Sequence, residues 1–261
     1  MIQKPSAMMQ KLRNDELVLS TKLNIVNMIT AEIAAYAGFD CIWMDMEHVP
    51  ADYQEIMAAV LAAKARGAEC MIRVPRGCYS NLIRPLEMDA AAIMVPHCMS
   101  AEDARTIAHY TKFQPIGRRP IDGGNGDGMY CLMGTEDYLK YSNENKCIII
   151  QIEDYEAYDE LEEICATPGI DMIFFGPADF AHSLGLAHDM GNEKVVEARR
   201  RVAEVARKHG KIAGTVGSTA NLKELYDMGY RFVNVGADVV GLGQYFTKLA
   251  EDAKAIRDSV K

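Results

Sequence analysis

No apolar run in the 261-residue chain approaches the roughly 20 residues a membrane-spanning helix needs, so no membrane partner is expected. Basic residues are the minority charge. The 28 Lys and Arg stand against 37 Asp and Glu, a formal net charge of −9, which lacks the basic stripe of a nucleic-acid surface. The seven cysteines, at 41, 70, 78, 98, 131, 147 and 165, form no C-x-x-C pair and have no metal-ligand spacing. Their odd number, and their place in runs such as Cys147-Ile-Ile-Ile, read as reduced, buried thiols of a cytoplasmic protein. The first twenty residues hold no secretory apolar core, so no export is predicted. What is present is ordinary globular composition, 49% hydrophobic and 25% charged, which excludes disorder, collagen and coiled coil. The length suits a single domain over 1–261.

The organising signal is alternation. Short runs rich in Ile, Val, Phe and Met are followed by polar, helix-like stretches. The strand-like runs are Ile42–Met46, Met71–Val74, Ile93–Pro96, Ile148–Ile152, Met172–Phe175, Ile212–Val216 and Phe232–Val235, with an earlier one between Leu17 and Met28. Continuous apolar runs are what parallel strands buried on both faces require. Helical patterns fall at Thr30–Ala37, Asp52–Arg66, Ala101–Thr111 (after Ser100, a candidate N-cap), Tyr155–Ala166, Glu193–His209, Asn221–Met228 and Val239–Ser259; most end at a Gly. Eight such β/α units in about 250 residues predict an α/β protein of the (β/α)8 TIM-barrel class. A doubly wound open sheet is the alternative, weakened because no G-x-G-x-x-G follows the first strand. An insertion from Phe113 to about Asn145, with Asp122-Gly-Gly-Asn-Gly-Asp-Gly128, breaks the rhythm and reads as a mobile loop.

Barrel active sites form at the C-terminal strand ends. Polar residues directly after the apolar runs are therefore the candidates. Glu153 and Asp179, from adjacent strand ends, could share a divalent cation, since oxygen ligands suit Mg²⁺ or Mn²⁺; alternatively Glu153 pairs with an arginine or caps a helix. The turn Gly176-Pro-Ala178-Asp179 could offer backbone N–H groups to a carboxylate. His48 follows Asp45 and Glu47, and a neighbouring acid makes an imidazole a better base; the other reading is a surface histidine. Arg73 at a strand end needs an anion, either a ligand or a structural carboxylate. His97 has no acid beside it in sequence and reads as packing or rim. Trp43 reads as core.

Together these segments resemble the metal-dependent (class II) pyruvate aldolases of the HpcH/HpaI aldolase family. Asp45-Met-Glu-His48-Val-Pro50 is similar to its D-x-E-H-x-P signature and Ile72-Arg73-Val-Pro75 to its V-R-V-P strand. Leu86-Glu87 with Met94-Val-Pro96 resembles its L-D-x-G-A…V-P segment. Gln151-Ile-Glu153, Gly176-Pro-Ala-Asp179-Phe, Ser183-Leu-Gly185, Gly214-Thr-Val216 and Val235-Gly236-Ala-Asp238 extend the match over about residues 30 to 245. The resemblance implies Glu153 and Asp179 as ligands of Mg²⁺, Mn²⁺ or Co²⁺. It implies Gln151, Ala178, Asp179 and Val216 as substrate contacts, Arg73 as the enolate stabiliser, and His48 with Asp45 as the base. Glu87 stands where the family has an Asp supporting the histidine. Arg119 matches an arginine of the loop after the fourth strand, where substrate would be shaped, although Pro120 replaces the usual glycine and Asp89 stands where a glycine is expected. The resemblance also implies a homo-oligomer, a hexamer built from dimers that exchange their last helices.

The expected reaction is reversible cleavage of a 4-hydroxy-2-oxo acid to pyruvate and an aldehyde. A Schiff-base aldolase needs a lysine at a strand end, and none of the located runs holds one; Lys211 only precedes the seventh. The alternatives are a lyase acting on an acyl-CoA thioester and a non-catalytic binder of 2-oxo acids.

Overall fold

The structure is a computed structural model that describes residues 3–260. Eight strands form it: β1 (Val18–Leu23), β2 (Cys41–Asp45), β3 (Glu69–Arg73), β4 (Ala92–Val95), β5 (Cys147–Ile152), β6 (Met172–Phe175), β7 (Ile212–Gly217) and β8 (Phe232–Ala237). All neighbours are parallel, and β8 closes on β1 with Val18 opposite Phe232. The closed cylinder is the (β/α)8 barrel, and the open-sheet alternative falls away.

Because side chains alternate along a strand, each strand feeds two cores. Ile42, Met44, Cys70, Ile72, Ile148, Ile150, Ile173 and Phe175 point outward and pack under the helices. Cys41, Trp43, Met71, Met94, Cys147, Ile149, Met172, Phe174 and Phe232 fill the inside. The cylinder is tight: a Cβ on Gly214 would lie 2.8 Å from Phe174 and 2.9 Å from Met172 sulfur. Met8, Met9 and Leu12 of helix Ala7–Arg13, unsuspected in the sequence, join the interior core at the N-terminal strand ends.

Side-chain caps set the start of two of the expected helices. Asp52 caps Tyr53–Ala65 in a reciprocal box with Glu55, and the Ser100 hydroxyl accepts from Asp103 N–H at the start of Ala101–Thr111. The expected helix Tyr155–Ala166 is instead two, Tyr155–Asp159 and Leu161–Cys165. The break falls at Glu160, whose carboxylate turns away to accept from Ala101 N–H at 2.8 Å. Helix Tyr79–Glu87 lay outside the sequence reading because Pro85 sits inside it and no side chain caps it.

The insertion is not a loose loop. It contains helix Thr135–Asn145 and a small core of Phe113, Met133 and Tyr138. Within it Arg119 pairs with Asp127 at 2.7 Å, both side chains fully buried, and Tyr138 Oη donates to the same carboxylate oxygen. The glycines permit the tight turn: a Cβ on Gly128 would meet the Gly123 backbone at 2.4 Å.

Candidate active site

The inward parity that fills the cylinder with apolar residues continues at its C-terminal mouth with polar ones. Val18 and Ser20 put Lys22 inward on β1; Cys41 and Trp43 do so for Asp45; Met71 for Arg73; Cys147 and Ile149 for Gln151 and then Glu153.

Strand register sets Asp45 directly opposite Arg73. The Arg73 guanidinium donates through Nε to Asp45 Oδ1 at 3.0 Å and through Nη2 to Oδ2 at 2.5 Å, a bidentate pair with Asp45 wholly buried. Lys22 Nζ lies 2.7 Å from the same Oδ2, and Glu47 Oε2 lies 3.0 Å from Arg73 Nη1. Burial alone would raise the Asp45 pKa, but Arg73 and Lys22 together hold it well below the usual carboxylate range. The expected partnership of Asp45 with His48 is therefore corrected. Asp45 holds Arg73, and His48, 62% exposed at the rim, has Glu47 as its nearest acid at 3.5 Å.

Glu153 is 1% exposed. Its Oε1 accepts from His97 N–H at 2.9 Å and its Oε2 from Gln151 Nε2 at 2.6 Å. Burial pushes its pKa up to about 7, with Asp179 adding repulsion against the opposing pull of His97 and Arg73. His97 proves better placed than its sequence neighbours suggest. Its Nδ1 is 2.8 Å from Asp154 Oδ2, and its Nε2 is 3.7 Å from Glu47 Oε1. Burial opposes its protonation, but these acids win and raise its pKa. The residue adopts φ +49°, which turns its N–H onto Glu153.

Asp179 is in the first turn of helix Pro177–Ser183, where the N–H groups of Ala178 and Asp179 have no helical carbonyl to bond. Gly176 before it must be glycine, since a Cβ there would sit 2.7 Å from Glu153 Oε2. Val216 packs at the edge of the interior core. Two expected residues are elsewhere. Glu87 ends a helix that returns the chain to the start of β4, so within one copy it lies at the opposite end of the barrel from His48. Arg119 is committed to Asp127 and, at 3.0 Å, to Ser142 Oγ, because the insertion needs it as the centre of its own core. Lys22 was missed. Its strand was bounded only loosely, and it is the strand-end lysine the sequence reading did not find.

The residues fit a hard divalent cation. Glu153 and Asp179 offer oxygen ligands only, and the repulsion between these two carboxylates, which adds to the burial of Glu153, is what a cation held between them would relieve. Beside Glu153, Gln151 Oε1 is a buried oxygen without a hydrogen-bond partner among the described residues. No group of three or more His, Cys, Asp or Glu that could hold an ion occurs among the described residues, so water and substrate would supply the remaining positions.

The family model for HpcH/HpaI aldolase/citrate lyase matches residues 23–243. The chain belongs to this family. A 5-keto-4-deoxy-D-glucarate aldolase of Klebsiella pneumoniae is 32% identical, the match covering 88% of this chain and 90% of that protein. A hydroxypyruvate/pyruvate aldolase of Paraburkholderia phytofirmans is also 32% identical, over 88% and 90%. The crystal structure of an HpcH/HpaI aldolase/citrate lyase family protein from Burkholderia cenocepacia superposes with a TM-score of 0.87 at 30% identity, covering 95% of this chain and 99% of that one. As a member of the HpcH/HpaI family, the chain is an enzyme of the aldolase type, a carbon–carbon lyase. Its motif residues Asp45, Arg73, Gln151, Glu153 and Asp179 all fall on the C-terminal side of the barrel.

Proposed function

We propose that the chain catalyses the reversible, divalent-metal-dependent cleavage of a 4-hydroxy-2-oxo acid to pyruvate and an aldehyde. The observation that carries this reading is the presence, at one barrel mouth, of a caged arginine, Arg73, and a buried carboxylate, Glu153, that a second carboxylate, Asp179, repels. Glu153 and Asp179 would hold Mg²⁺, Mn²⁺ or Co²⁺. Bound there, the ion supplies Lewis acidity to the substrate's 2-oxo and carboxylate oxygens. His48 takes the 4-hydroxyl proton, with Glu47 beside it as the supporting acid. The C3–C4 bond then breaks, the aldehyde leaves, and its electron pair remains as the pyruvate enolate, which is protonated at C3. Arg73, locked by Asp45, presents positive charge where that enolate develops. Gln151, Val216 and the N–H groups of Ala178 and Asp179 line the pyruvate end.

Exhaustive chelation with EDTA is expected to abolish pyruvate release, and Mg²⁺, Mn²⁺ or Co²⁺ to restore it, followed by a coupled pyruvate assay. Full turnover in metal-stripped protein would sink the metal-dependent reading.

We also infer a homo-oligomer that exchanges its last helix, as the resemblance implies. Helix Asp238–Ser259 buries none of its 22 residues and exposes Leu242, Tyr245, Phe246, Leu249 and Ile256. Helix Met28–Tyr36 exposes Met28, Ile29, Ile33 and Tyr36, a second apolar face on the same molecule. Light scattering is expected to give a multiple of 28.9 kDa, with six copies the implied number. Replacing Phe246 and Leu249 with glutamate is expected to split it into smaller species, and a monomer before substitution would count against the exchange. Seven unpaired thiols, five of them buried, support a reducing, cytoplasmic setting.

A further inference from the structure

Lys22 is a charged side chain at the barrel mouth to which the proposed chemistry gives no task. Its side chain is 19% exposed, and its Nζ lies 2.7 Å from Asp45 Oδ2, the oxygen that also accepts Arg73 Nη2. Both cations lie over the Trp43 ring, at 5.3 Å for Lys22 and 5.0 Å for Arg73. Hydrogen bonding does not require the second cation, because both oxygens of Asp45 already accept from Arg73 and Oδ1 also accepts from Glu47 N–H. Charge does. Arg73 is directly ion-paired with two carboxylates, Asp45 and Glu47. With Lys22 the four groups sum to zero. Without it they sum to −1, and the field of the guanidinium is cancelled by its own supports. In a water-poor site that difference acts on whatever anion forms next to Arg73.

We propose that Lys22 is a positioning residue of the aldol chemistry: its ammonium neutralises Asp45, so that Arg73, held by that carboxylate, keeps positive charge to present to an enolate. The inference rests on the enolate reading above. It also separates Lys22 from Schiff-base chemistry, since an ammonium paired with a carboxylate lacks the free electron pair that a nucleophile needs.

The test compares Lys22→Met, which removes charge and hydrogen bond, Lys22→Gln, which keeps a donor without charge, and Lys22→Arg, which keeps both. Mg²⁺-loaded enzyme is incubated with pyruvate in heavy water, and exchange at the methyl group is followed by NMR. Calorimetry gives the affinities for pyruvate and for oxalate, a planar dianion resembling the enolate. The Met and Gln variants are expected to lower kcat for exchange roughly 10- to 100-fold, with KM for pyruvate within about threefold. Oxalate is expected to weaken more than pyruvate, and Arg to restore exchange to within about threefold of the unsubstituted enzyme. Exchange at the unsubstituted rate in the Gln variant would overturn the proposal. So would equal losses in all three variants together with a fallen Tm, or a borohydride-trapped pyruvate adduct on Lys22. If the unsubstituted enzyme exchanges nothing, the enolate reading itself falls and takes this one with it. If it exchanges and Met matches it, only the role of Lys22 falls.

Discussion

Arg73→Lys is expected to lower kcat for pyruvate release about 100- to 1,000-fold while the protein stays folded. A lysine can still give Asp45 one charge-assisted hydrogen bond, but it cannot span both oxygens and also reach Glu47 as the guanidinium does. Arg73→Ala is a different experiment. It leaves Asp45, wholly buried, with Lys22 as its remaining cation, and removing one partner of a buried pair costs about 3–5 kcal/mol. Activity lost in Arg73→Ala therefore mixes chemistry with stability, whereas Arg73→Lys separates them. Denaturant melts and single-turnover kinetics on both variants are the measurement. A fully active Arg73→Lys enzyme would remove Arg73 from the chemistry, and an Arg73→Ala protein as stable as the parent would remove it from the core.

Glu153→Gln is expected to act in opposite directions on activity and stability. Activity falls by at least about 1,000-fold, because the substitution removes one of two proposed metal ligands. The metal-free protein, by contrast, gains about 1–2 kcal/mol, a Tm rise of a few degrees. Glu153 is an acid buried against the repulsion of Asp179, and a neutral amide avoids that cost. The hydrogen bonds survive. The new amide oxygen accepts from His97 N–H, and its NH2 donates to the Gln151 oxygen, now without a partner, once that amide rotates. Calorimetric melts of stripped protein, set beside the pyruvate assay, read both effects. A lower Tm in Glu153→Gln would mean that the carboxylate is part of the scaffold rather than a functional strain on it.

Both predictions turn on partnerships that the sequence showed unevenly. Asp45 and His48 are near neighbours in the chain, and proximity suggested that they act together. Register decided otherwise: β2 and β3 pair with Asp45 opposite Arg73, and strand parity turns both side chains inward. His97 looked idle because its acids, Glu153 and Asp154, lie more than fifty residues further along the chain. Lys22 was hidden because β1, Val-Leu-Ser-Thr-Lys-Leu, carries polar residues on its inward positions and so lacks the continuous apolar run that marked the other strands. Arg119 carried a family position by motif, yet Asp127, eight residues on, claims it within the chain.

The amino-acid sequence by itself determined the class of fold, the strand ends where chemistry gathers, and the residues that carry the family's motifs. It could do so because strands buried on both faces must be apolar throughout, and because the polar residues that interrupt them are costly unless they serve something. Only the tertiary structure decided which charge answers which. Asp45 holds both Arg73 and Lys22, His97 steadies Glu153, and the insertion keeps Arg119 for its own core. Ion pairs form across strands and between distant loops through distances of a few ångströms, and separation along the chain carries no record of those distances.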